Sequence, residues 1–279
     1  MNKILSTIIL IFAVSLAQSK TPADTTWQTE LIGALHFSQA YFDNWVAGGE
    51  STIAGQLDLN GKAIKTTNKF IWTNNGRIAY GTSKVTGKDA TKTIDEIKLE
   101  SIYNYLWKYR LDPYFAVKAE TQLAPGYEHR EDGKIRVSDF LDPAYFTQSL
   151  GILYKPSEKI VLRIGAAVKE TITKDHPEPY ADDPNTKEIE KIKIEPGAEA
   201  VFSVSKNLSD NTQINSTLDL FNDFTELSAT DVKWDTDFTT KINELINIKL
   251  SVKLFYDKDI SLKRQLNQTL MLGISYTFF

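Results

Sequence analysis

The chain has 279 residues, 24% of them charged, and a formal net charge of −4, so it lacks the basic field that holds a nucleic acid. It contains no cysteine, which excludes a disulfide framework, thiolate chemistry and a lipid-modified cysteine anchor. Twelve Tyr, fourteen Phe and five Trp against only two Met make a composition suited to strands.

At the N-terminus, Lys3 supplies a short basic region and residues 4–14 an apolar run. Ser15, Leu16 and Ala17 place small residues where a signal peptidase cuts, so residues 1–17 are expected to be a signal peptide. The apolar run is too short for a membrane anchor, which needs about 20 residues. Residues 18–26 are expected to form a short periplasmic segment and residues 27–279 one continuous architecture. No Gly/Ser tract or Pro-rich spacer divides it.

From there on, large apolar side chains recur at every second position, the period of a strand. In residues 97–107, Ile97, Leu99, Ser101, Tyr103, Tyr105 and Trp107 share one face. Lys98, Glu100, Asn104 and Lys108 share the other, with Ile102 and Leu106 as exceptions. Residues 160–168, 232–242 and 248–256 repeat the pattern, with Arg163, Lys233, Asp235, Asp237, Lys249 and Lys253 opposite their apolar faces. About twelve such segments of roughly ten to sixteen residues are predicted, longer than the usual strand of a soluble domain. Short connections at 65–67, 110–113, 156–159, 206–211 and 243–246 are expected to alternate strictly with longer ones. The longer ones are 43–50, 84–92, 128–142, 174–191, 222–231 and 257–264. That asymmetry, with an even strand number, predicts an all-β, transmembrane antiparallel up-and-down β-barrel. Aromatics fall into two girdles: Phe70, Trp72, Trp107, Phe115, Tyr154, Phe202, Tyr276 and Phe278 at one end, Tyr80, Trp234 and Tyr256 at the other. A large soluble sandwich or barrel would also explain the alternation, but neither the strand length nor the loop asymmetry.

The last segment puts Leu270, Leu272, Ile274, Tyr276 and Phe278 on one face and ends on Phe279. It resembles the closing strand of Gram-negative outer-membrane barrels. The resemblance implies a location in the cell outer membrane, with outer-membrane lipid and the barrel-assembly machinery as partners. Near the start, residues 37–50 resemble the opening of an uncharacterised family of outer-membrane barrels. Its Asn-Trp-x-Ala-Gly-Gly-Glu motif is matched by Asn44, Trp45, Ala47, Gly48, Gly49 and Glu50. The resemblance extends over most of the mature chain and implies no activity. Gly48 and Gly49 permit positive φ in a connection, and Trp45 suits either rim packing or a sugar contact.

Catalytic chemistry is sparse. His36 falls on the inward face of the first strand, and His129 and His176 fall in long loops. None has metal-ligand spacing, so no metal and no cofactor is expected. The 174–191 loop, with Asp175, Glu178, Asp182, Asp183, Glu188 and Glu190, reads as a solvated acidic loop without an EF-hand pattern. Some twelve-stranded barrels are phospholipases with a His-Ser pair on the lipid face; no such pair occurs here, and the chain is expected not to be an enzyme. The inward-facing set is the functional question. Gln56, Asp58 and Lys62 belong to it, as do Glu100, Lys118, Glu120, Arg163, Lys169, Glu195, Glu199, Asp219, Asp235, Asp237, Lys249 and Lys253. Mixed signs fit a narrow pore for small polar solutes or a closed, salt-bridged barrel with interacting outer loops. A structural barrel without conductance is the alternative and an outer-membrane phospholipase the remoter one; no specific ligand is legible.

Overall fold

The computed structural model describes residues 26–279 except 44–45, 47–48, 108–109, 131–132, 184–185 and 227–229. The expected signal peptide and the motif residues Asn44, Trp45, Ala47 and Gly48 lie outside the described residues. The strands, in chain order, are β1 (Trp27–Ala40), β2 (Thr52–Thr66), β3 (Phe70–Val85), β4 (Thr91–Tyr105), β5 (Leu111–Thr121), β6 (Gly126–Arg130) and β7 (Gly133–Ser138). They continue as β8 (Ala144–Ser157), β9 (Ile160–Ile172), β10 (Ile192–Asn207), β11 (Thr212–Asp223), β12 (Thr230–Lys241), β13 (Ile246–Asp257) and β14 (Ser261–Thr277). Twelve of them close a barrel in the order β1-β14-β13-β12-β11-β10-β9-β8-β5-β4-β3-β2. Each pairs antiparallel with its neighbours, and β6–β7 is a separate hairpin inserted between β5 and β8.

Period-two alternation sorts the side chains between two solvents. The outer wall carries exposed Leu35, Leu57, Leu99, Ile152, Ile164, Leu270 and Ile274. Rings gather toward the end that holds the termini: Trp27 and Trp72 lie 5.3 Å apart between centroids, and Phe70 and Tyr103 lie 5.0 Å apart. Two expectations are corrected. Connections do not alternate strictly in length, because β3–β4 and β13–β14 are joined by residues 86–90 and 258–260 alone. There the strands run on past the positions read as loop, so the extra residues lengthen the wall. Likewise Asp112 and Pro113, read as a turn, sit in β5. The long segment between β5 and β8 holds the β6–β7 hairpin, too short and too polar to show as alternation.

Toward the terminal end, part of the interior is apolar. Tyr114, Ala116 and Leu153 pack there with Ile102 and Val161. Tyr114 is fully buried and lies against the Gly151–Gly165 register pair. A Cβ on Gly165 would run into the Leu150 carbonyl and lie 2.8 Å from the Tyr114 hydroxyl oxygen. Glycine is therefore what lets the ring lie flat across the next strands. Gly165→Ala is expected to cost about 1–3 kcal/mol through overpacking. The temperature at which the folded electrophoretic form converts to the unfolded one should fall accordingly.

Candidate functional site

The barrel interior concentrates charge. β4 and β12 stand opposite one another in the ring, yet Lys98 Nζ of β4 lies 2.9 Å from Asp235 Oδ2 of β12. Around that contact, Lys253 of β13 reaches Glu96 of β4 at 2.6 Å, and Lys233 of β12 reaches Glu120 of β5 at 2.5 Å. Lys118 of β5 binds Glu199 of β10 at 3.0 Å and also Asp219 of β11. Arg163 of β9 meets Glu100 of β4 at 2.6 Å. These pairs tie walls that share no backbone hydrogen bond.

Two further clusters flank this layer. In one, Asp58 accepts from the Gln56 amide at 2.6 Å and from Arg77 at 3.0 Å, with His36 Nδ1 at 3.3 Å. Arg77 also reaches Glu96 at 2.9 Å, and Lys249 pairs with Asp237 at 3.1 Å. In the other, Lys169 sits between Glu195 at 3.2 Å and Asp231 at 2.6 Å, and 5.0 Å above the Phe221 ring. A group this enclosed stays charged only when paired, because an unpaired buried ion costs several kcal/mol.

Among the residues picked from sequence, Lys118 with Glu199 and Asp219, Arg163 with Glu100, Lys169 with Glu195 and Lys249 with Asp237 come together as pairs. Glu120, Asp235 and Lys253 find partners outside that set, in Lys233, Lys98 and Glu96. Lys62 is exposed, toward the end that holds the termini. Sequence reasoning missed Arg77, Glu96 and Asp231 as site members. Arg77 was hidden because Asn74 and Gly76 sit on the outer face of β3 and blur its alternation. Lys98 and Lys233 stood on recognised polar faces and carried a readable signal. Among the described residues no cluster of His, Asp and Glu has the arrangement of a metal site.

Two cavities border the ionic layer. The one toward the termini has a volume of about 460 Å³, and Asn60, Asn75, Ser203, Asn215 and Thr217 share its wall with charged groups that include Arg77, Glu100, Arg163 and Asp237. The one toward the long loops has about 520 Å³ and aromatic walls from Tyr145, Tyr180, Phe221 and Phe255. Lys118, Lys233 and Asp219 border both.

Tyr180 belongs to the 173–191 loop, which folds across the mouth and so is not simply a solvated acidic loop. Asp142 holds it, accepting from the backbone N–H of Lys174 at 2.8 Å and of Asp175 at 2.9 Å, with His176 Nδ1 at 2.9 Å. The side chain of His129 is outside the described residues. Of the sequence motif, Gly49 has a φ of 152° with the Phe42 ring against it, and Glu50 pairs with Lys88 at 2.9 Å.

Comparison with known proteins adds a sequence match and a set of similar shapes. A family described as a protein of unknown function (DUF3078) matches residues 37–127. That stretch includes residues 44–50 but is shorter than the resemblance expected over most of the chain. No curated protein matches. Among solved structures, the translocator domain of the autotransporter NalP from Neisseria meningitidis is 10% identical, with a TM-score of 0.40, covering 97% of this chain and 94% of that one. The COG4313 outer membrane channel from Pseudomonas putida F1 is 10% identical with a TM-score of 0.41, covering 94% and 97%. The KdgM porin in complex with disordered oligogalacturonate is 9% identical with a TM-score of 0.35, covering 89% and 99%. The closed barrel is established by this chain's own strand register.

Two outcomes are expected from this geometry. Arg163 is 3% exposed. Arg163→Ala leaves Glu100 facing a poorly hydrated interior and should cost about 3 kcal/mol, the lower end for a broken buried pair because Glu100 is itself only partly buried. Equilibrium unfolding in detergent checks it. At the mouth, burial pushes the Asp142 carboxyl up, but the Lys174 and Asp175 N–H groups and His176 outweigh it and hold it below the usual carboxylate range. A carboxyl lowered by folding stabilises the loop above its unfolded value of about 4 and loses that contribution as pH falls through the folded value. Pepsin should therefore cut the 173–191 loop at about pH 2 and spare it near pH 4.5, whereas Asp142→Asn should be cut at both.

Proposed function

We propose that the protein is a non-enzymatic outer-membrane barrel closed at mid-height by its own ion pairs, so that each cavity is open to one side only. The membrane location is supported by an outer wall of exposed Leu and Ile bounded by aromatic rings. Closure of the twelve barrel strands into a ring satisfies the backbone as hydrocarbon demands, except along the part of β14 beyond its pairing with β1. Outer-membrane lipid then surrounds the wall, and the barrel-assembly machinery is the natural reader of the Phe-ended strand.

The observation that carries the closed reading is the Lys98–Asp235 contact between opposite walls. With Glu120–Lys233 and Lys118–Asp219 beside it, this layer crosses the section where a pore would run, which supports the closed reading. The Asn, Ser and Thr side chains that share the lower cavity's lining with the charged groups favour a second state. If the layer parts, Asn, Ser and Thr side chains offer a hydrated route for small polar solutes.

Single-channel recording separates the two readings. The parent protein in a planar bilayer is expected to show no stable conductance. Removing Lys98 and Asp235 together, as Lys98→Ala with Asp235→Ala, leaves neither charge without its partner and should produce steady channels. Asp210→Ala, in a turn at the terminal end, should behave as the parent. A parent that conducts as well as the double variant would sink the closed reading.

A further inference from the structure

The seam that closes the barrel is incomplete. β1 pairs with β14 from Ile32↔Thr277 to Phe37↔Leu272 and no further. β1 continues to Ala40 with β2 as its partner, and β14 starts at Ser261 and pairs with β13 along its length. Residues 261–271 of β14 thus have a paired edge toward β13 and an unpaired edge toward β1. Both faces of this stretch are open, residues 262–268 being exposed without alternation.

Its placement matters because of depth. A lipid-facing band about 25 Å tall corresponds to about ten residues of a tilted strand. Counted from Tyr276 in the terminal aromatic girdle, that band ends near Leu266. The unpaired edge therefore begins inside the outer leaflet. Unpaired N–H and C=O groups in hydrocarbon cost several kcal/mol each, so water must reach them from the barrel side. The upper cavity supplies it: its wall includes Gln265 of β14 itself, with Ile260 and Phe255 next to it.

A second contact explains why the seam stands open. Asn267 Nδ2 donates to the Thr93 carbonyl oxygen of β4 at 3.0 Å, drawing upper β14 inward over the mouth and away from β1. Leu262, Leu266 and Leu270 still face outward, exposed. An apolar approach from the leaflet thus leads through the gap into a cavity with aromatic walls and an ionic lining in which Lys118, Lys169 and Lys233 stand among carboxylates such as Glu199, Asp219 and Asp231. A second copy of the chain does not fit the edge. Two barrels inserted in the same sense bring β14 strands together running the same way, whereas this edge continues an antiparallel pairing.

We propose that the seam above Phe37–Leu272 is a lateral portal through which a single-chain amphiphile passes from the outer leaflet into the upper cavity. This rests on the membrane reading above, and the experiment separates the two. The protein in vesicles is irradiated with a palmitate analogue carrying a diazirine, and adducts are mapped by mass spectrometry. Adducts on outward Leu35, Leu57 and Leu270 report insertion; their absence overturns the membrane reading itself. Adducts on Phe255 and Tyr145 as well are the expected result for the portal. Outer-wall adducts alone overturn it, and slow amide exchange along 262–270 in that case would mean that the edge holds an extended peptide instead.

The chain's lack of cysteine allows a staple. Gln39→Cys with Leu270→Cys extends the Phe37↔Leu272 register by two residues on each strand. Oxidation is expected to abolish the cavity adducts, leave the adducts on Leu35 and Leu57 unchanged, and be reversed by reductant. Unchanged cavity labelling in the stapled form would show entry through the loop-side mouth and overturn the portal. Where the disulfide does not close, Asn267→Ala gives an independent reading. Without the Thr93 contact β14 is free to return to β1, so cavity labelling should fall; labelling equal to the parent overturns the portal.

Discussion

Opposite walls of this barrel are held together by charge, and the rest of the interior is arranged around that constraint. A twelve-stranded ring leaves a lumen that must hold water or be filled. Here β4 and β5 on one side reach β12 and β13 on the other through Lys98–Asp235, Glu96–Lys253 and Glu120–Lys233. Each pair makes sense only with its neighbours, because Glu96 is shared by Arg77 and Lys253, and Lys118 by Glu199 and Asp219. In this network the carboxylates outnumber the cations, so sharing is what keeps each of its anions close to a positive group.

The same residues set the shape of the empty space. Tyr114 and Leu153 fill one side near the terminal end, where Gly151 and Gly165 let the ring lie against backbone. Beyond β9 in the ring, β10 and β11 present Ser203, Asn215 and Thr217, too short to cross the lumen, and the lower cavity remains. At the other end Asp142 gathers the 173–191 loop, which brings Tyr180 over the upper cavity.

How far this was legible follows from what a strand's period records. Alternation reports which face a residue takes, so the inward placement of Glu100, Arg163, Glu199 and Lys249 was readable from their own segments. It does not report depth or the strand opposite, and so Lys98 could be seen as inward while its partner Asp235 could not be named. Arg77 was lost for a local reason, since Asn74 and Gly76 occupy the outer face of β3 where apolar residues would have marked the register. Loop lengths misled at 84–92 and 257–264 because polar residues at a barrel's rim look alike whether they extend a strand or leave it.

The incomplete seam shows the same limit in its sharpest form. Leu262, Leu266 and Leu270 continue the outward pattern of β14, and nothing in it marks the point at which pairing with β1 ends. That point depends on contacts made across the mouth. Lys253 of β13 is bound to Glu96 and Asn267 of β14 to Thr93, both on β4. Together they pull the β13–β14 hairpin toward the opposite wall. On the portal reading, the ion pairs that narrow the lumen and the gap that opens its side are therefore two results of one inward displacement. A change that releases β13 and β14 from β4 should widen the first while it closes the second.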